Sequence, residues 1–318
     1  MSFRTFFFAV LGAALLLPST AGACSSCGCS VNSDWASQGY SAQAGFHFDV
    51  RYDYFHQDQL RSGSSRFDRA TAPIPNDREL QLSTINRALN LGIDYRFDGD
   101  RAVQLQLPIF DRPHATLAEG DDELSGSRSR GLGDVRLIGR YQGFLEDRSL
   151  GVQLGLKLPT GRRDFSFDSG PQAGGPLDRG LQPGSGTTDA LLGIYHHGVL
   201  AERLRVFTAA LLQVPLNSRD GFRPGAGLNI NAGVRYLSES GIVPQLQINV
   251  RHERRESGAN ADVDNSGATL VHLSPGIAWP IGGSLQAYAF VQVPLYQRVN
   301  GLQIEPRYSV SVGLRWPL

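Results

Sequence analysis

The sequence predicts an all-β protein, namely a transmembrane antiparallel up-and-down β-barrel of about twelve strands. Three observations lead to this fold. Apolar side chains alternate with polar ones along many segments, and the connections between those segments are short and long in turn. No apolar stretch after the N-terminus approaches the roughly 20 residues that a membrane helix requires, so a helical membrane protein is excluded.

The length allows one large β-domain or two ordinary domains, and the composition favours one β-domain. The chain has 318 residues, of which 41% are hydrophobic, and its 37 glycines and 17 prolines suit a protein with many turns. Its formal net charge of +0 gives no basis for a nucleic-acid partner.

The C-terminal strand shows the alternation most clearly. Every second side chain is apolar, and small, polar or proline residues stand between them; the apolar set is Tyr308, Val310, Val312, Leu314, Trp316 and Leu318. In an outer-membrane barrel one face of such a strand meets lipid and the other meets the lumen. We therefore expect this strand to close the cylinder.

The same pattern recurs along the chain. It is found at residues 40–54, 89–97, 103–109, 135–141, 150–158, 188–199, 204–216, 228–237, 244–252, 270–279 and 285–295. Connections near residues 99, 147, 201, 239 and 282 are short, whereas those near residues 65, 120, 173, 221, 261 and 299 are mostly longer. Short periplasmic turns and longer outside loops are typical of bacterial outer-membrane barrels. An exported β-sandwich is the alternative fold, but short and long connections are not expected to alternate in a sandwich.

The N-terminus has the pattern of a secretory signal peptide. Arg4 precedes an apolar run that ends in the small residues Ala21, Gly22 and Ala23. We therefore predict a signal peptide at residues 1–23, a short Cys-rich periplasmic segment at residues 24–39, and the outer-membrane barrel at residues 40–318.

All three cysteines, Cys24, Cys27 and Cys29, lie in the predicted periplasmic segment. An oxidising periplasm favours a disulfide between two of them. Three thiolates are also ligands for zinc or copper, although a closed structural zinc site has four ligands. As the first residue after the predicted cleavage site, Cys24 is in addition a candidate for lipidation.

Charged and imidazole side chains occupy the lumen face of the predicted strands. The candidates for a functional surface are His47, Asp49, Arg51, Asp94, Arg96, Arg136, Arg140, Lys157, Arg235, Arg251 and His272. Because arginine pairs carboxylates through two parallel hydrogen bonds, we expect part of this set to brace the wall as a cross-strand ladder. Twelve strands are intermediate between filled and open barrels, so the pore should be narrow or plugged by the N-terminal segment.

No pattern of residues indicates catalysis. The sequence contains no phosphate-binding loop or nucleophile elbow, and the adjacent His196 and His197 point to opposite faces of a strand. We therefore expect a protein that is not an enzyme.

Three motifs resemble a known family. GLGDVRLIGRY at residues 131–141, LGLKLPTG at residues 154–161 and HLSPG at residues 272–276 are similar to motifs of the outer-membrane protein family associated with meta-pathway phenol degradation. That family is distantly similar to the long-chain fatty acid outer-membrane transporters. The resemblance implies a barrel surrounded by outer-membrane lipid that passes a small solute of hydrophobic or aromatic character.

An alternative function remains open at this point. The Cys-rich start is not part of the family pattern, and a barrel wall needs no thiols. A non-transport outer-membrane protein, whose N-terminal segment binds a metal or a periplasmic protein partner, also fits the sequence.

Overall fold

The structure is a computed structural model that describes Gln38, residues 44–71 and residues 79–318. Within these residues, no helix is long and apolar enough to cross a membrane. The strands are β1 (Gly45–Ser62), β2 (Ser65–Arg66), β3 (Leu80–Arg96), β4 (Arg101–Leu117), β5 (Ser125–Leu132), β6 (Val135–Tyr141), β7 (Leu150–Leu158), β8 (Asp189–Ala201), β9 (Leu204–Pro215), β10 (Gly227–Tyr236), β11 (Val243–Glu253), β12 (Ala268–Gly282), β13 (Leu285–Val299) and β14 (Leu302–Pro317). Two short 3-10 helices cover Arg69–Thr71 and Arg179–Leu181.

The strands form a closed antiparallel barrel. Strands β1, β3 and β4 pair in order, β6 to β14 pair in order, and β14 returns to pair with β1, which closes the cylinder. The two-residue β2 pairs only with β1 among the described strands. Both β5 and β6 pair with β4 and are separated only by Gly133 and Asp134, so they form one interrupted strand of the wall. The described part of the chain therefore has a twelve-stranded wall, as the sequence predicts.

The outer face of the wall is apolar. Leu154 on β7 is 66% exposed, and its cross-strand partner Leu192 on β8 is 45% exposed. An exposed apolar surface of this kind is unfavourable in water, but it is expected on the face of a barrel that contacts lipid hydrocarbon. The chain is therefore an outer-membrane protein.

Aromatic side chains cluster where β1 begins and β3 ends. The ring centroids of Phe46 and Tyr95 are 4.7 Å apart, and those of Tyr95 and Phe97 are 5.0 Å apart. Nearby, Phe48 stacks on Trp316 of β14 at 5.6 Å. Aromatic girdles of this kind lie at membrane interfaces, so this cluster marks one edge of the hydrocarbon band. The short connection between β3 and β4 lies at the same end, and short turns are periplasmic in bacterial barrels.

Several strands extend further than the sequence predicts. Polar residues at 57–76 and 111–130 indicate long loops, yet β1 continues to Ser62, β3 starts at Leu80 and β4 continues to Leu117. Outside the hydrocarbon band the wall does not face apolar lipid chains. The alternation of apolar and polar residues therefore stops there, although the backbone ladder continues.

The last outside connection is also shorter than predicted. Strands β13 and β14 are separated only by Asn300 and Gly301. Gly301 has a φ of +60°, a conformation that glycine adopts at little cost and that tight hairpin turns require. This connection is a turn rather than a longer loop.

Candidate functional site

A cavity of about 500 Å³ occupies the lumen of the barrel. Most of the sequence-predicted lumen residues contribute to its lining, namely His47, Asp49, Arg51, Asp94, Arg96, Arg136, Arg140, Lys157 and Arg251. Arg235 on β10 and His272 on β12 are buried but do not line this cavity. The structure thus brings residues from distant strands to one internal surface and leaves these two outside it.

Lys157 is the centre of one polar network in the wall. Its Nζ lies 2.8 Å from Oδ2 of Asp189 and 3.3 Å from Oδ2 of Asp134, and it donates a 2.6 Å hydrogen bond to Oγ of Ser185. All three charged side chains are buried. Because a buried charge is stable only when it is paired and hydrogen-bonded, the three residues are interdependent.

A second ion pair crosses an intervening strand. Nη1 of Arg140 on β6 lies 2.6 Å from Oδ2 of Asp94 on β3, although β4 stands between them. On β4, the cross-strand partner of Arg140 is Ala102. This small side chain leaves room for the guanidinium group to reach over the strand.

Two further arginines pair along their own strands. Arg51 donates to Oδ2 of Asp53 at 2.9 Å, and Arg251 donates to Oε2 of Glu253 at 2.5 Å and 3.0 Å. The carboxylate of Asp53 also accepts from neighbouring strands. The wall is therefore braced by ion pairs across strands as well as along them.

Arg136 on β6 differs from these cations. It is half-buried, lines the cavity, and donates a 3.3 Å hydrogen bond to Oε1 of Gln213. Among the described residues, no carboxylate oxygen lies within 4.0 Å of its guanidinium group. Arg136 thus presents a positive charge to the cavity that no acidic side chain in the described part of the wall neutralises by direct pairing.

The connection between β7 and β8 folds into the barrel. Arg179, Gln182 and Ser185 of this connection line the cavity. Arg112 on β4 donates to the carbonyl oxygens of Gly180 and Gln182 at 3.3 Å and 3.2 Å. The cavity is therefore partly enclosed by an inward-folded loop.

The carboxylate of Asp134 anchors this loop at both ends. It accepts hydrogen bonds from the backbone N–H of Gly161 at 3.1 Å and of Ser185 at 2.9 Å. There the two arms of the loop approach so closely that a Cβ atom on Gly184 would lie 2.3 Å from the carbonyl oxygen of Gly161. Sequence reasoning missed the inward position of the loop because it depends on contacts between residues far apart in the chain.

The structure does not test the predictions for the cysteines. Cys24, Cys27 and Cys29 lie outside the described residues, as does the predicted signal peptide. Within the part of the chain that the structure describes, no group of three or more His, Cys, Asp or Glu side chains is arranged to hold a metal ion. Disulfide formation, zinc or copper binding and lipidation of Cys24 therefore stay predictions.

Comparison with known proteins supports the fold. No protein-family model and no curated protein sequence matches the chain. Among solved structures, an outer membrane channel from Pseudomonas putida F1 is 13% identical, with 88% of this chain and 98% of that chain covered at a TM-score of 0.65. The toluene transporter TbuX from Ralstonia pickettii is 10% identical, with 94% and 97% covered at a TM-score of 0.46. At these identities the similarity to the Pseudomonas channel shows that the fold is that of an outer-membrane β-barrel.

Proposed function

We propose that this protein is an outer-membrane channel for the passive passage of a small solute. The observation that supports the proposal is that one cavity contacts both ends of the barrel. His47 and Arg96 line it near the periplasmic edge, and Arg179 and Phe222 line it within the outer loops. A barrel that only anchors a periplasmic segment would not need such a cavity.

The size and lining of the cavity agree with a small organic solute. A volume of about 500 Å³ lies within the range of roughly 300–1,000 Å³ that is usual for small-molecule sites. Phe55, Phe110, Ile138 and Leu211 add apolar surface to the charged wall. The motif resemblance to the phenol-degradation family adds weight to an aromatic solute.

Passage through a lumen requires no bond to be made or broken. Its selectivity comes from the width of the pore and from the groups that line it. We therefore assign the lumen residues a role in solute selection and wall stability, and we propose no catalytic role for them.

Reconstitution into planar lipid bilayers tests this proposal. We expect discrete current steps from purified protein whose folded state has been verified by heat-modifiable gel migration. Replacing Asn90, which lines the cavity, with Trp should lower the single-channel conductance. The matched change Leu89→Trp, on the adjacent residue at the other face of β3, should leave the conductance unchanged. Folded protein that gives no current would refute the channel function.

A further inference from the structure

We infer that Arg136 is the binding residue for the acid group of an amphipathic organic anion, namely a monocarboxylate with an apolar body. This inference rests on the proposed channel function and specifies its solute class.

The carboxylates of Asp134 and Asp189, which lie near Arg136, are both bound by other groups. Asp134 accepts from the backbone N–H groups of the β7–β8 loop, from Oγ of Ser185 at 2.7 Å and from Lys157. Asp189 accepts from Oγ1 of Thr187 at 2.8 Å, from Nε2 of Gln213 at 2.5 Å and from Lys157. Both carboxylates are therefore held in place by partners other than the guanidinium group of Arg136.

The amide of Gln213 fixes the position of Arg136. Because Nε2 of Gln213 donates to Asp189, Oε1 of the same amide is directed toward Arg136 and accepts its hydrogen bond. A guanidinium group has five N–H donors, and this acceptor satisfies only part of them. The remaining donors of Arg136 are available to water or to an anionic solute in the cavity.

The surrounding charges favour an anion over a cation. Arg51 and Arg251 line the same cavity and lie close enough to Arg136 for electrostatic repulsion. Arg51 and Arg251 are each paired directly with a carboxylate. Asp134 and Asp189 attract Arg136 only from a longer distance, because their direct ion pairs are with Lys157. A planar guanidinium group matches a carboxylate through two parallel hydrogen bonds.

Apolar groups within the cavity suit the rest of such a solute. Ile138 follows Arg136 by two positions on the same face of β6, and Phe110 and Leu211 line the cavity from β4 and β9. An inorganic anion would gain nothing from this surface. An aromatic or aliphatic monocarboxylate would bury its apolar body here while its acid group binds Arg136.

Ion-selectivity measurements with benzoate test the inference. Reversal potentials across planar bilayers under a sodium benzoate gradient give the permeability ratio of benzoate to sodium. We expect Arg136→Gln to lower this ratio about fivefold, which corresponds to about 1 kcal/mol of lost Coulomb energy. Arg136→Lys keeps the charge but loses the two parallel hydrogen bonds of the guanidinium group, so it should retain only part of the benzoate selectivity. The matched control Arg101→Gln removes an exposed arginine at a periplasmic turn and should change nothing.

The outcomes separate the inference from the channel function. If the wild-type protein conducts and the benzoate ratio is the same in Arg136→Gln, the solute class is wrong while the channel function stands. A loss of chloride and benzoate permeability to the same extent would overturn the assignment of an amphipathic solute. Absence of any wild-type current would instead refute the channel function itself.

Discussion

Lys157 on β7 and Asp189 on β8 are cross-strand partners on the lumen face of the wall. Nζ of the lysine lies 2.8 Å from Oδ2 of the aspartate. Asp189 is fully buried, and it also accepts hydrogen bonds from Thr187 and Gln213. Through Asp134, the same ammonium group is linked to the inward-folded loop. This ion pair therefore connects the stability of the wall to the shape of the cavity.

Breaking this pair should destabilise the barrel. We expect Asp189→Ala to lower the free energy of unfolding by about 3–5 kcal/mol, because a buried ammonium group loses a partner. Urea titration of the refolded protein in lipid vesicles measures the effect. Arg101→Gln, at an exposed ion pair, should have little effect. An equally small change for Asp189→Ala would contradict the buried network.

The lipid-facing assignment predicts a second stability difference. Leu154→Arg places a charge on the lipid face near the middle of β7 and should cost about 2–4 kcal/mol. The adjacent Gln153 lines the cavity, so Gln153→Arg should cost far less. Equal losses for the two variants in the same unfolding titration would show that the facing assignment is wrong.

Release of the β7–β8 loop should widen the pore. Asp134→Ala removes the acceptor of both backbone anchors, so we expect a higher and more variable single-channel conductance. Asp164→Ala is the matched control, because this exposed carboxylate of the same loop pairs only with its neighbour Arg162 among the described residues. An unchanged conductance for Asp134→Ala would indicate that the loop does not limit the current.

The state of the N-terminal cysteines can be read by intact mass spectrometry of protein extracted from the membrane. An added diacylglyceryl group would identify Cys24 as a lipid anchor, and the loss of two hydrogens would identify a disulfide. Zinc or copper retained in native spectra would identify a metal site at Cys24, Cys27 and Cys29. An unmodified, metal-free and fully reduced N-terminus would refute all three predictions.

Much of the barrel could be predicted from the sequence because its determinants are local. A strand that separates lipid from an aqueous lumen must alternate apolar and polar side chains, and this period of two is visible without any knowledge of the partner strands. The exposure of Leu154 and the cavity position of Gln153 follow from neighbouring positions in one segment. Because the same alternation recurs in each strand, the twelve strands of the wall can be counted from the sequence.

The tertiary structure alone decided how the lumen is filled and braced. Asp134 and Ser185 are separated by 51 positions, and Arg140 reaches Asp94 across a strand that lies between them. No local pattern encodes such contacts, because they arise from the register in which the backbone ladders align distant segments. The same applies to β1, β3 and β4 above the membrane, where hydrogen bonding to neighbouring strands maintains the wall after the alternation has ended. Contact with lipid thus determines the alternation of apolar residues within each strand. The contacts inside the lumen form only when all strands of the barrel are in place.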